Sequence, residues 1–143
     1  MALVIFLCGI AFAQQFVPAT AANAKQFVGT WQGSFQGKAF ITVTIGFEGN
    51  KLVGTASHAD IEVGKDGELT KAEPGDGADP ITDARVKGDV LRITTKSPDG
   101  QDSFESNLRL VANNELSMQI VIPPDVPAPA PKAWRLERVA AKP

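Results

Sequence analysis

The chain has 143 residues and a formal net charge of -2, with 43% hydrophobic and 21% charged residues. This length fits one domain of ordinary size, and the composition is close to the globular average, which excludes wholesale disorder. One cysteine excludes an internal disulfide framework and a zinc site built on several thiolates. The slightly acidic balance lacks the basic stripe that nucleic-acid binding requires.

Residues 1–13 carry no charge, are largely apolar and end in the small-x-small triplet AFA. Such a run is typical of a secretory signal peptide, and it is shorter than the roughly 20 apolar residues that span a bilayer. Leu7 precedes Cys8, where a lipoprotein signal needs a small residue. We predict an exported protein, secreted or periplasmic, whose mature chain is not inserted in a membrane. Because no Lys or Arg precedes the run, an atypical signal, a start codon placed too late and a buried N-terminal strand stay open.

The rest of the chain divides by its patterning. Residues 14–26 are small and polar without periodicity, and they predict a flexible leader. From Phe27 onward apolar residues recur at every second position, the period of a half-buried strand, so we predict the domain over residues 27–139 and a short tail at 140–143. The predicted strands cover residues 27–35, 38–47, 51–59, 61–63, 68–72, 81–87, 90–96, 104–110, 116–122 and 133–139.

Two stretches interrupt this pattern. Turn-forming residues fill positions 73–80 (EPGDGADP) and predict a surface loop. Alternating prolines at positions 123–131 (PPDVPAPAP) predict an extended polyproline segment. That segment is either a stiff spacer across the end of the fold, a lid, or a ligand for an aromatic groove.

The number and spacing of the strands decide the fold class. About eight to ten short strands joined by turns, with no amphipathic helix, favour an all-β fold. Short connections favour up-and-down neighbours, and closure removes exposed strand edges. We predict a single antiparallel up-and-down β-barrel, with a β-sandwich as the alternative.

A motif on the first strand and basic residues on the last carry a family resemblance. Gly29 and Trp31 form a Gly-x-Trp motif, and Arg135 and Arg138 lie on the last strand. This combination resembles the calycins, the group of lipocalins, fatty-acid-binding proteins and avidins. Residues 29–58 look particularly like the first three strands of an avidin, and also like the small lipocalin-like domains of secreted bacterial proteins. The resemblance implies a tryptophan across the barrel bottom beneath a guanidinium from one of the two arginines.

His58 is the only histidine and therefore the first candidate for chemistry. Neighbours on a strand point to opposite faces, so Ser57 cannot easily serve His58 in a catalytic triad, and His58 with Asp60 supplies only two metal ligands. The acidic positions 76–83 lack the oxygen spacing of a calcium loop, and no nucleophile elbow or phosphate loop is present. We expect no enzyme, cofactor or metal, with a hydrolase as the alternative. His58 is expected inside the barrel or at its rim, hydrogen-bonded to a neighbour.

Two functional hypotheses stay open. In the first, the barrel binds a small apolar molecule between inward side chains, which are Ile41, Val43, Ala56, His58, Leu108 and Met118. In the second, the core is filled and a structural or protein-interaction function lies on the loops. The two differ in whether small inward residues leave space or only accommodate large ones; the small residues are Gly33, Gly54, Ala56 and Ser106, and the large ones Phe35, Phe40, Phe47 and Phe104. The sequence names no protein partner, and biotin is not expected because the chain lacks tyrosine and has two tryptophans.

Overall fold

The structure is a computed structural model that describes residues 15–127 and 129–140. The predicted signal peptide at 1–13, with Cys8, lies outside the described residues, and so do residues 141–143 of the predicted tail. Within the described residues the strands are β1 (Val17–Pro18), β2 (Gly29–Phe35), β3 (Lys38–Glu48), β4 (Lys51–Val63), β5 (Leu69–Lys87), β6 (Val90–Lys96), β7 (Ser103–Ala112), β8 (Glu115–Val121) and β9 (Trp134–Arg138).

Strands β2 to β9 form a closed antiparallel barrel of eight strands. Each strand pairs with the next along the chain, and β9 pairs back with β2 through Gln32 and Glu137 among others. The all-β, up-and-down barrel prediction is therefore confirmed, and the sandwich alternative is wrong. The pattern succeeded because alternation and short turns fix both the faces of the strands and their neighbours.

The tight turns follow from residues that accept a left-handed backbone. Gln36 and Gly37 join β2 to β3 with φ values of 52° and 81°, the two positive angles that a two-residue hairpin prefers. The turns at one end of the barrel follow β2, β4, β6 and β8, and those at the other follow β3, β5 and β7. We call the first the open end and the second the closed end.

The segment before the barrel is folded onto it. The strand β1 pairs with the end of β5, and a single helical turn α1 (Ala21–Ala24) runs into a 3-10 turn over Lys25–Phe27. Thr20 and Asn23 cap the helix reciprocally, and Ala24 and Phe27 are buried. The sequence predicts a flexible leader here, and the structure differs because contacts with the barrel, not local periodicity, order the segment.

The strands β4 and β5 extend beyond the barrel as a two-stranded arm over residues 57–80. The pairing of β3 with β4 runs only to Val43 and Ala56, and the pairing of β5 with β6 starts at Ile81. The predicted surface loop at 73–80 is therefore wrong as a loop: these residues belong to β5, although most are exposed. The two glycines of this stretch, Gly75 and Gly77, lie in a bulge, where His58 is the single residue of β4 opposite three residues of β5.

The proline-rich connection between β8 and β9 docks on the tip of the arm. No strand lies among its described residues. The Lys132 amide donates to the Gly67 carbonyl at 3.0 Å, and the Lys132 ammonium lies 2.8 Å from Glu68. Gln119 of β8 donates to the Pro131 carbonyl at 2.5 Å. The connection thus bridges β8, the arm and β9 at the open end.

The half of the barrel next to the closed end is solid. Six of its inward side chains have zero relative exposure, and they are Trp31, Val43, Leu91, Leu108, Leu116 and Leu136. Because inward positions recur every second residue, the next inward layer along each strand lies nearer the open end. That layer surrounds a cavity.

Candidate functional site

A cavity of about 450 Å³ occupies the half of the barrel next to the open end. Most of its wall is apolar, and the larger apolar side chains are Ile41, Ile93, Met118, Ile120 and Trp134. The arm contributes Ala59 and Ile61, so it forms part of the wall. The mouth carries Pro98 and the Phe104 ring, which is 55% exposed.

The polar groups of the cavity are few and several are buried. The buried polar residues of the described chain are Asp79, Thr95 and Ser106, and all three line the cavity. The remaining polar lining residues lie toward the mouth and are Ser57, His58, Ser97 and Asp102. Apolar walls with a few converging polar groups are typical of a small-molecule site.

The structure brings together four of the six residues predicted to line the site. Ile41, Ala56, His58 and Met118 line the cavity. Val43 and Leu108 point inward too, but both have zero relative exposure and belong to the solid layer one step nearer the closed end. Alternation identifies the inward face of a strand and does not give the height at which a cavity begins.

The small inward residues have different roles. Ala56 and Ser106 line the cavity. Gly33 leaves no space, because a Cβ there would lie 3.0 Å from Ile41 and 3.3 Å from Leu136. A Cβ on Gly54 would overlap the Thr44 carbonyl oxygen, so this glycine permits close strand contact.

The aromatic side chains do not fill the half of the barrel next to the open end. Phe40 is turned inward beside Ile41 by a bulge in β3. It meets Trp134 edge to face, with ring centroids 5.3 Å apart. Phe35 and Phe47 are partly buried against the core. The filled core therefore occupies the half of the barrel next to the closed end.

His58 lies at the rim of the cavity, and both nitrogens of its ring face acceptors. Nε2 lies 2.8 Å from Asp79 Oδ1, and Nδ1 lies 2.5 Å from the Asp76 carbonyl oxygen. A carbonyl only accepts, so Nδ1 is the nitrogen that carries a hydrogen, and protonation at Nε2 would form an ion pair with the Asp79 carboxylate. The structure thus has a hydrogen-bonded histidine at the rim, where the sequence predicts one.

The acceptors also favour the protonated form of the imidazole. The Asp79 hydrogen bond first, and the Asp76 carbonyl next, raise the pKa of His58 above its ordinary value of 6.5, while desolvation opposes them. The negative charges of Asp79 and Asp102 raise this pKa further. The side chain of His58 is 46% exposed and that of Asp79 is 10% exposed, so the pair has one solvated and one sheltered member.

The bulge in β5 builds this pair. Ser57 pairs with Ala78 and Ala59 with Pro74, which leaves Gly75, Asp76 and Gly77 opposite His58. Gly77 has a φ of 84°, in the left-handed region that favours glycine. The turn residues that predict a loop in the sequence instead fold the strand around the imidazole.

The contacts of His58 bear on chemistry as well. Both ring nitrogens are engaged, one with the Asp76 carbonyl and the other with the Asp79 carboxylate, so a substrate would have to displace one of these contacts to use His58 as a general base. Ser57 Oγ accepts a hydrogen bond from the Thr42 amide at 2.8 Å. Within the described residues, no group of three or more His, Cys, Asp or Glu side chains could hold a metal ion.

At the closed end, Arg138 and not Arg135 covers the motif tryptophan. The Arg138 guanidinium carbon lies 4.2 Å from the Trp31 ring centroid, and the indole Nε1 donates to the Phe27 carbonyl at 3.0 Å. A Cβ on Gly29 would lie 2.5 Å from the Arg138 guanidinium, so the small residue of the motif makes room for it. Arg135 lies on the outer face and pairs with Glu115 at 2.7 Å.

Among the cavity residues that the sequence does not single out, Asp79, Asp102 and Trp134 bear most on the chemistry of the site. The turn composition around Asp79 predicts a solvated loop, and no motif singles out Asp102. Trp134 is one of two tryptophans and carries no motif, yet it is buried and lines the cavity. Its position at the start of the last strand, level with Met118, is the signal that could have found it.

Comparisons with protein-family models, with curated proteins and with solved structures return no match to this chain. Within the described residues, no helix has the length and apolarity to cross a membrane. The class that the structure itself defines is a closed eight-stranded antiparallel barrel, and that architecture is compatible with a calycin-like fold.

Proposed function

We propose that the protein is an exported, non-enzymatic barrel that binds one small, largely apolar molecule in the half next to the open end. The observation that carries the proposal is the cavity of about 450 Å³. Ligand sites in proteins commonly measure about 300–1,000 Å³. The apolar wall favours an apolar ligand, because burial of apolar surface contributes about 25 cal/mol of favourable free energy per Å².

The construction of the barrel supports this proposal. A solid layer beneath the cavity gives a rigid floor, and the fully buried side chains Val43, Leu108 and Leu136 belong to it. A rigid scaffold lowers the ordering cost of binding. The arm contributes Ala59 and Ile61 to the wall, and its tip is held to the proline-rich connection by the hydrogen bond between Gly67 and Lys132.

The test is the binding of phenylnaphthylamine, a neutral fluorophore that brightens in apolar surroundings. Ala56 lines the cavity, whereas the preceding Thr55 lies on the outer face of the same strand and is exposed. We expect the wild-type protein to enhance the fluorescence, Ala56→Phe to abolish the enhancement by filling the cavity, and Thr55→Phe to retain it. Thermal unfolding of both variants shows that each is folded.

Two results would contradict the proposal. Wild-type protein that does not enhance the fluorophore, or any similar apolar probe, would remove ligand binding and leave the interaction hypothesis with function on the loops. Equal enhancement by the wild type and Ala56→Phe would place the fluorophore outside the cavity.

Export is tested separately from binding. The apolar residues 1–13 support it, and cleavage after Ala13 would leave Gln14 as the first residue. Intact mass measurement of protein recovered from the medium or periplasm of its host is expected to show this N-terminus. Recovery of the uncleaved chain from the cytosol would overturn the export proposal.

A further inference from the structure

The charges around the cavity are unequal in sign. The ionisable residues that line it are His58, Asp79 and Asp102, and no lining residue among those described is Lys or Arg. The one possible cation of this lining, His58, is already held by the Asp79 carboxylate and the Asp76 carbonyl. An anionic ligand would therefore meet two carboxylates and no unpaired cation from the described lining, and that juxtaposition costs binding energy.

The uncharged polar groups of the cavity can nearly all accept hydrogen bonds. Thr95 and Ser106 are buried and bring hydroxyl oxygens to the inner wall. Trp134 is the exception, but its indole nitrogen is sealed from solvent and makes no hydrogen bond with the described residues. An ammonium group has three donors and no acceptor, so carboxylate and hydroxyl oxygens are its natural partners.

We infer that the cavity selects apolar molecules that end in a protonated amine and disfavours those that end in a carboxylate. The inference rests on the proposed function, because the cavity is the site and the charges decide only which end group it accepts. The alkyl or aryl body lies against Ile41, Ile93 and Met118. The ammonium lies toward the mouth, where Asp102 and the Asp79 oxygen that is not paired with His58 supply charge-assisted acceptors.

The test compares three molecules that share one alkyl chain. Decylamine, decanol and decanoate compete at neutral pH against bound phenylnaphthylamine. Hydrogen bonds to charged groups exceed neutral ones by about 1 kcal/mol, so decylamine is expected to bind about fivefold tighter than decanol, with decanoate weakest. Asp102→Asn and Asp79→Asn keep the shape of each side chain, and each is expected to reduce the preference for the amine.

A control removes the same charge outside the cavity. Glu105 lies on the outward face of β7, between the cavity-lining Phe104 and Ser106, and is exposed. Glu105→Gln is expected to leave the amine preference unchanged. If it reduces the preference as much as Asp102→Asn does, the amine is responding to general surface charge, and the inference is wrong.

The outcomes separate the two proposals. Equal competition by the three compounds, or tighter binding of decanoate, would overturn the inference and leave the apolar ligand site in place. An amine preference that persists in both Asp102→Asn and Asp79→Asn would also overturn it. Failure of the fluorophore to bind wild-type protein would instead remove the proposed function itself.

Discussion

Arg138 holds the closed end together because one planar guanidinium serves an aromatic face and several carbonyls at once. It covers the Trp31 ring and donates to the backbone carbonyls of Val28, Gln26 and Asn113. These carbonyls come from two different parts of the chain, the segment before β2 and the turn between β7 and β8. The side chain therefore ties the barrel closure to the N-terminal segment.

Replacing this guanidinium by an ammonium tests its role. Arg138→Lys keeps the charge and loses the rigid fork, so we expect the free energy of unfolding to fall by about 1–2 kcal/mol. Arg135→Lys, on the outer face of the same strand, is expected to change it by less than about 0.5 kcal/mol. Urea unfolding measures both variants. Equal losses would show that the contacts with Trp31 and the carbonyls contribute nothing.

The His58–Asp79 pair predicts a pH dependence with a definite sign. The pKa of His58 is raised in the folded chain, chiefly by the Asp79 hydrogen bond, above an unfolded value near 6.5. The protonated pair therefore stabilises the fold fully below that unfolded value, and the stabilisation is lost as the pH rises through the folded value. His58→Gln cannot gain a proton, so it lacks this contribution.

The measurement is the difference in urea midpoint between wild type and His58→Gln across this pH range. Groups elsewhere cancel in the difference. We expect the wild-type advantage to be largest in mild acid and to shrink above the ordinary histidine pKa. An advantage that grows with pH would show that Asp79 does not hold the imidazolium.

Residue pairs of this kind mark the limit of prediction from the sequence. The rim position of His58 follows from alternation along β4. Its partner Asp79 is 21 residues away, in a stretch whose composition is that of a solvated loop. Only the bulge in β5, which is a tertiary feature, brings the two side chains together.

The two arginines of the last strand show a milder limit. They lie on opposite faces of β9, because alternation puts Arg138 on the inward face of Leu136 and Arg135 on the outward one. Alternation therefore favours Arg138, but it does not give the height of that residue relative to the motif tryptophan. The register supplies that height, because Arg138 is paired directly with Trp31.

At the scale of elements, the arm formed by β4 and β5 extends beyond the pairing of the barrel strands. Its tip depends on the contact with the proline-rich connection, where Gly67 is buried against Ala130 and Lys132. Gly67 has a φ of 85°, and a Cβ there would lie 2.8 Å from the Ala130 carbonyl oxygen. The position therefore requires glycine for its backbone angle and for space.

A matched pair of glycines separates these two requirements. Gly37 has a φ of 81°, and a Cβ added there would have none of the described atoms within 4 Å, so Gly37→Ala carries the backbone cost alone. Both Gly37→Ala and Gly67→Ala are expected to lose about 1 kcal/mol of stability from the backbone. Only Gly67→Ala should also speed hydrogen exchange of the Lys132 amide, which donates to the Gly67 carbonyl. Unchanged exchange at Lys132 would show that the arm does not depend on this contact.

Prediction at the level of elements succeeded where local rules decide and failed where they do not. Hairpins such as the one at Gln36 and Gly37 are encoded by turn residues between alternating runs. Residues 73–80 carry the same turn composition, but they belong to β5, because the ladder with β4 holds on both sides of the bulge at residues 75–77. The segment before β2 is ordered although the sequence predicts a flexible leader, because contacts with the barrel order it and no local pattern indicates those contacts.

For the whole molecule, the central property is a barrel that is solid in one half and hollow in the other. The inward side chains of both halves lie on the same alternating face of each strand. The sequence pattern therefore does not give the position along a strand at which the solid half ends. The two halves differ in the size of the inward side chains that face one another across the barrel. Leu108 is fully buried in the solid half, whereas Ser106, the next inward residue of β7 toward the open end, lines the cavity.

Substitutions in the two halves are expected to change the free energy of unfolding in opposite directions. Leu108→Ala opens a void in the solid layer and should lower the free energy of unfolding by about 2–5 kcal/mol. Ser106→Val places apolar atoms in existing space and removes a buried hydroxyl, so it should raise stability by about 1 kcal/mol while weakening phenylnaphthylamine binding. Urea unfolding and fluorescence titration of the same samples measure both quantities. A gain in stability with a loss of binding is the signature of a barrel that keeps its upper half open for a ligand, and a loss of both in Ser106→Val would mean that this half has no room to fill.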